Sequence, residues 1–252
     1  MNRYRVFRSG LICIMLFAAA CASTDNEQQL KRADATRNLG EAYLREGKYT
    51  LALKELLKAE SLNPNDPYMQ NDIGLVYYAK GRYDTAIRHY KNALDLKHDY
   101  PPAMNNLGNA YAAQKRWESA IEYYNKALDS ALYATPHFPL SNLGNLYYEK
   151  KDYERSEEYY LKALKIQPDF SSALLGIGRT YVAMGRLKDA IGKLEKAVRI
   201  NPDKPVLFYE LANVYRLAGN YRDARLAYAQ VIHLVPESKL SDLSRRALQE
   251  LN

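Results

Sequence analysis

The segment MNNLGNAYAAQKRWESAIEYYNKA, residues 104–127, decides the fold because its landmarks recur along the chain. Gly108 belongs to a series with Gly40, Gly74, Gly144, Gly178 and Ala212, spaced by 34, 34, 36, 34 and 34 residues. Three residues after each stands a tyrosine: Tyr43, Tyr77, Tyr111, Tyr147, Tyr181 and Tyr215. Twelve after stand Ala52, Ala86, Ala120, Ser156, Ala190 and Ala224, and nineteen after stand Ala59, Ala93, Ala127, Ala163, Ala197 and Val231. Tyrosine at all six equivalent positions has a chance probability of about one in a million at this composition, so the repeat is real. Met104, Leu107 and Tyr111 fall on one face of a 3.6-residue period, and Ala120, Tyr124 and Ala127 do so again after a short break. Each unit thus reads as two helices. Gly108 and Ala120 are expected to be small because the two helices approach closely there. Gly47, Gly81, Gly185 and Gly219 supply turns between helices, and Pro64, Pro168, Pro202 and Pro236 stop the second helices.

The period and these positions resemble the tetratricopeptide repeat. The resemblance covers residues 33–238 as six repeats, with a two-residue insertion after the third. It implies an all-α fold, a right-handed α-solenoid of helix-turn-helix units. A single helical pair cannot bury its own apolar face, so stacked pairs share a core and the array needs a polar end. Residues 239–252 carry Leu240, Leu243, Ala247, Leu248 and Leu251 at helical spacing with Arg245, Arg246 and Glu250 opposite, as a capping helix would.

Composition agrees with a folded chain. Of 252 residues, 47% are apolar and 26% charged, and 23 are tyrosines against one tryptophan. Packing of the repeats explains most of that surplus, since a tyrosine ring can be buried while its hydroxyl reaches solvent. The formal charge is +7, from 36 basic and 29 acidic residues. Removing Arg3, Arg5 and Arg8 leaves 33 basic residues and +4, interspersed without the clustering that nucleic-acid binding requires.

Those three arginines belong to an address. A basic start, an apolar run from Leu11 to Ala20 and the small residues Ala18-Ala19-Ala20 before Cys21 read as a secretory signal over residues 1–20. The run is too short for a bilayer span of about 20 residues. Cys21 directly after the small residues resembles the bacterial lipobox, with Ala18 where that motif most often has leucine. The resemblance implies that Cys21 becomes an acylated N-terminus, with palmitate-type chains, and that residues 21–32 form a tether. Ala22, where the inner-membrane retention signal has aspartate, points to the periplasmic face of the outer membrane. Ordinary cleavage after Ala20 or Ala22 is the alternative and would leave a free periplasmic protein.

No constellation for catalysis emerges. The four histidines (His89, His98, His137 and His233) lack ligand spacing to carboxylates, no phosphate loop follows a strand, and both cysteines precede residue 22. The expectation is a non-enzymatic protein-binding scaffold with no cofactor, metal, nucleic acid or small-molecule substrate. In the tetratricopeptide family the first helices line a concave binding face. The positions that reach it hold Asn38, Asn71, Asn105, Asn106, Asn109, Asn142, Asn145 and Asn213 here, resembling the asparagine ladder of peptide-binding members. An asparagine amide offers donors and an acceptor, so it can hold a peptide backbone without reading its side chains. The same face places Tyr68, Leu75, Tyr78, Phe138, Tyr148, Leu175, Val182 and Tyr209 as apolar contacts. The alternative is that asparagine before Leu-Gly simply faces water. The carboxylate clamp of chaperone-binding members is not reproduced, and only Arg37 fits it.

The inserted residues fall within Ala127–Leu140, an irregular segment carrying Leu132, Tyr133, Pro136 and Pro139. A lipobox, six repeats and this interruption resemble type IV pilus pilotin lipoproteins of the PilF/PilW/Tgl kind, which assist assembly of an outer-membrane secretin. The resemblance implies a secretin subunit as partner. A lipoprotein adaptor for cell-wall synthesis or β-barrel assembly is the alternative, and a regulatory domain detached from an enzyme is a third, disfavoured by the signal and the capping helix.

Overall fold

The computed structural model describes residues 26–131 and 133–251. The expected signal peptide, Cys21 and the start of the tether lie outside the described residues, as does Leu132. Among the described residues every regular element is an α-helix, and they run in order: α1 (26–45), α2 (Tyr49–Leu62), α3 (Pro67–Ala79), α4 (Tyr83–Leu96), α5 (Pro101–Ala113), α6 (Trp117–Asp129), α7 (His137–Glu149), α8 (Tyr153–Ile166), α9 (Ser171–Ala183), α10 (Leu187–Ile200), α11 (Pro205–Leu217), α12 (Tyr221–Leu234) and α13 (Lys239–Glu250). The fold is an all-α solenoid of helix-turn-helix repeats, and the chain divides into two compact units after Arg116.

Proline starts three of the first helices: Pro67, Pro101 and Pro205 each occupy the first turn, where the missing N–H costs nothing. The second helices of units one, four, five and six end two residues before Pro64, Pro168, Pro202 and Pro236. Between first and second helices the chain turns through a left-handed residue. Gly47, Gly81, Gly185 and Gly219 have φ between 71° and 77°, and Lys115 and Lys151 take the same role with φ 58° and 61°. At the second repeat, Gly81 N–H bonds to Tyr78 C=O and Arg82 N–H reaches back to Tyr77 C=O at 2.9 Å, a Schellman closure. The repeating tyrosine is therefore the residue whose carbonyl closes each first helix. The following basic side chain then lies over its ring: Arg82 over Tyr77 at 5.3 Å, Arg116 over Tyr111 at 4.4 Å and Arg186 over Tyr181 at 4.2 Å.

The repeating glycine has a more specific cause than close helix approach. A Cβ on Gly144 would stand 2.8 Å from the Tyr160 ring, and one on Gly74 would stand 2.5 Å from Tyr90. Tyr160 and Tyr90 lie sixteen residues further on in the second helices, so a large side chain from one helix seats on the bare backbone of the other.

In the N-terminal unit Leu56, Met69, Ile73 and Val76 form a fully buried cluster with Ala52 and Ala59. In the C-terminal unit Ala163, Ala173, Ile177, Ala190 and Leu194 do the same, and α13 packs Ala247, Leu248 and Leu251 beside Ala224 and Tyr228. One buried position departs from alanine. The Ser156 hydroxyl donates to Gly144 C=O at 2.9 Å and meets the Thr180 hydroxyl at 2.9 Å, so α7, α8 and α9 share one polar contact. No described helix is long and apolar enough to cross a membrane.

Candidate functional site

In the N-terminal unit the binding face expected on the first helices is built from α1, α3 and α5. Asn71 and Asn105 are buried, and Asn106 and Asn109 are half-buried. Asn106 donates from Nδ2 to Asn71 Oδ1 at 2.9 Å, and Asn71 donates in turn to Asp72 Oδ1 at 3.4 Å. The amide of Asn71 is thus engaged within the unit. Asn105 and Asn109 each have partners as well.

Arg37 of α1 stands at the end of this amide chain. It donates to Glu41 at 3.1 Å and to Asp66 at 3.2 Å, and its Nε lies 3.5 Å from Asp72 Oδ2. Three carboxylates surround one guanidinium, so the charge of Arg37 is already matched within the unit. Burial pushes the Asp72 carboxyl up to about 7, the negative Glu41 adds to the rise, and Arg37 opposes it. Asp72 Oδ2 is buried without a hydrogen-bond partner. Beside this group Tyr68 meets Tyr100 edge-on at 5.2 Å, and Lys97 donates to the Tyr68 hydroxyl at 2.8 Å while lying 4.8 Å from its ring. Tyr78 is half-buried against Tyr83 at 5.5 Å.

The C-terminal unit presents its own stripe from α7, α9 and α11. Asn145 is exposed, Asn142 is half-buried with partners of its own, and Tyr148 is half-buried beside Tyr153 at 5.7 Å. On α9 the asparagine character gives way to charge, with Arg179 paired to Glu210 of α11, while Asn213 of α11 accepts from the Tyr228 hydroxyl at 2.6 Å. The interruption before α7 places Phe138 at the surface, edge-on to Phe170 at 5.3 Å, with His137 against both rings. Among the described residues no group of three His, Cys, Asp or Glu could hold a metal ion.

The proposed site residues therefore divide. Asn71 and Asn106 join each other in one unit, and Asn142, Asn145 and Tyr148 gather on α7 in the other. Asp72, Glu41 and the Arg179–Glu210 pair occupy equivalent helix positions but were not singled out as site residues. Their signal was available: where other repeats carry asparagine two residues before the glycine or one residue after it, these carry charge.

Paired helices, mostly of 13 or 14 residues, left-handed turns between them and a polar face on the first helices define a repeat scaffold of the kind that binds other proteins. A family profile described as "Tetratricopeptide repeat" matches residues 67–132, 99–169 and 137–203, more than half of the chain, and a second of the same description matches 182–246. One described as "TPR repeat" matches residues 40–81. The chain belongs to the tetratricopeptide repeat family. No curated protein matches it.

Solved structures share the fold. PilF of Pseudomonas aeruginosa is similar at TM-score 0.70 and 20% identity, covering 87% of this chain and 99% of its own. PilW, described as a widely conserved type IV pilus biogenesis factor, is similar at TM-score 0.73 and 22% identity, covering 84% and 97%. The Cut9–Hcn1 assembly of the APC/C is similar at TM-score 0.74 and 19% identity, covering 93% of this chain but 46% of that one. At these identities the likeness is one of fold.

Proposed function

We propose that this chain is a lipid-anchored scaffold on the periplasmic face of the outer membrane that assists assembly of the secretin in type IV pilus biogenesis. It acts by binding a protein, without catalysing a reaction. The observation that carries the reading is the pairing of Cys21 after a signal-like leader with a repeat array that matches PilF and PilW over nearly their whole lengths. Cut9–Hcn1 shares the fold but less than half of its chain is matched, so repeat packing alone does not select the function. The capturing surface is assigned to the first helices, with Asn105, Asn106 and Asn109 in one unit and Asn142, Asn145 and Tyr148 in the other.

The test is capture from membranes of cells that assemble type IV pili. The wild-type protein is expected to co-purify a secretin subunit, and its deletion to lower the assembled multimer. Asn105→Ala with Asn109→Ala, and separately Asn142→Ala with Asn145→Ala, should weaken capture by about 1 kcal/mol per hydrogen bond lost. Cys21→Ala should release the folded protein from the membrane fraction, since acyl chains supply the anchoring free energy. Capture of cell-wall or β-barrel assembly proteins with no secretin subunit would overturn the reading, and an unacylated native N-terminus would remove the anchor from it.

A further inference from the structure

Asp72 is a buried acid whose second oxygen makes no hydrogen bond, with the Arg37 Nε 3.5 Å away. The groups around it come from several segments of the N-terminal unit. α1 contributes Arg37 and Glu41, the latter also 3.7 Å from Arg45. α3 and its cap contribute Asn71 and Asp66. Tyr90 of α4 and Tyr100 ahead of α5 feel the Asp72 charge, and burial raises both phenols, so they stay neutral. Asn106 of α5 completes the set through Asn71.

Three carboxylates against Arg37 and the more exposed Arg45 leave one negative charge in excess here. Arg37 Nε brings both carboxylates together, Glu41 Oε1 at 3.1 Å and Asp72 Oδ2 at 3.5 Å, and two ionised carboxylates have no proton to share, so Asp72 Oδ2 is left without a hydrogen bond. A single proton between them supplies the missing donor and removes one negative charge from the buried group. We propose that Asp72 and Glu41 share a proton beneath Arg37, and that this proton latches α1 onto α3. It comes from solvent and returns there, so no other group changes state.

The direction follows from where the proton is held. Asp72 in the unfolded chain titrates near 3.8 and in the folded chain near 7. Between these values the folded chain binds a proton that the unfolded chain has lost, so the packing gains on the acid side and is weakened as pH rises through about 7. His89, on α4 and bonded to Gln70, works the other way: burial lowers it, so its contribution favours higher pH. A variant at Asp72 separates the two.

Hydrogen-exchange protection of α1 amides, corrected for intrinsic rates, reads the latch in the full-length chain. Wild type is expected to lose protection at residues 26–45 severalfold between pH 6 and pH 8. Asp72→Asn keeps the shape and provides a permanent N–H donor, so the loss of protection on raising the pH should disappear and only the opposite contribution of His89 should remain. Glu41→Gln should move the wild-type midpoint to lower pH. A carbon-13 titration of the Asp72 carboxyl in unaltered protein guards against a folding defect in the variants. Equal wild-type protection at both pH values, an unchanged pH response in Asp72→Asn, or a carboxyl that titrates near 4 would each overturn the proposal.

Discussion

Lys151 holds a left-handed backbone at φ 61° that crowds any residue bearing a Cβ, while four equivalent turns use glycine. The left-handed region costs an L-residue about 1–2 kcal/mol, and glycine escapes that but gives up more freedom on folding, by about 0.5–1 kcal/mol. Lys151→Gly should therefore stabilise the protein by about 1 kcal/mol or less, seen as a higher urea midpoint at unchanged slope. A lower midpoint would mean that the lysine side chain contributes more than its backbone costs. The six turns were legible as a register, because Lys115 and Lys151 align with Gly47, Gly81, Gly185 and Gly219. The conformation at the two lysines was not, since no local residue type announces it. Arg37 shows the same limit for the candidate site. Its place on the first-helix face could be read, but Asp66 and Asp72, which neutralise it, lie 29 and 35 residues away and approach it only through packing.

Between elements, the pairing of first and second helices rests on a knob over a bare backbone. Gly144→Ala puts a methyl 2.8 Å from the Tyr160 ring, which must shift or drive the helices apart. Overpacking of this kind costs about 1–3 kcal/mol. Equilibrium unfolding should show that loss, and Tyr160→Leu combined with Gly144→Ala should cost less than the two single changes added together, because the pair is in contact. Strict additivity would mean that the ring is not what the methyl meets. The small residue was readable from spacing alone. The tyrosine sixteen residues later is hidden as its cause in the sequence, because leucine takes that place at Leu56 and Leu194 and blurs the pattern. Similarly, packing accounts for most of the surplus of tyrosine, and the structure adds one role for the side chain: a ring that carries the next arginine.

At the scale of the whole molecule, the charges that appear so evenly mixed in the sequence do little for stability. Lys31–Glu27, Lys126–Glu122 and Lys162–Glu158 are exposed pairs one helical turn apart. Such pairs contribute about 0.3–0.5 kcal/mol each, and 1 M salt shortens the screening length to about 3 Å. Raising NaCl from 0.1 to 1 M should thus lower Tm by no more than about 6 °C, at about 2–4 °C per kcal/mol for a chain of this size. A larger drop would place real stability in the surface charges. The fold was readable throughout because one pattern is written six times. The candidate site is written once, in side chains that differ from repeat to repeat, so no internal comparison reinforces it.

That sameness creates a hazard that the contact between Ser156 and Thr180 answers. Modules built on interchangeable alanines have no means of telling a proper neighbour from the next one along, and such arrays are prone to misassembly. Thr180 is replaced by Val214 one module further on, and Ser156 by Ala190. A chain slipped by one module would set the Ser156 hydroxyl against a valine; Ser156 would keep its bond to Gly144 C=O, and only its contact with the second hydroxyl would be lost. The two hydroxyls thus mark one junction: the fourth module makes a polar contact with the fifth that it could not make with the sixth.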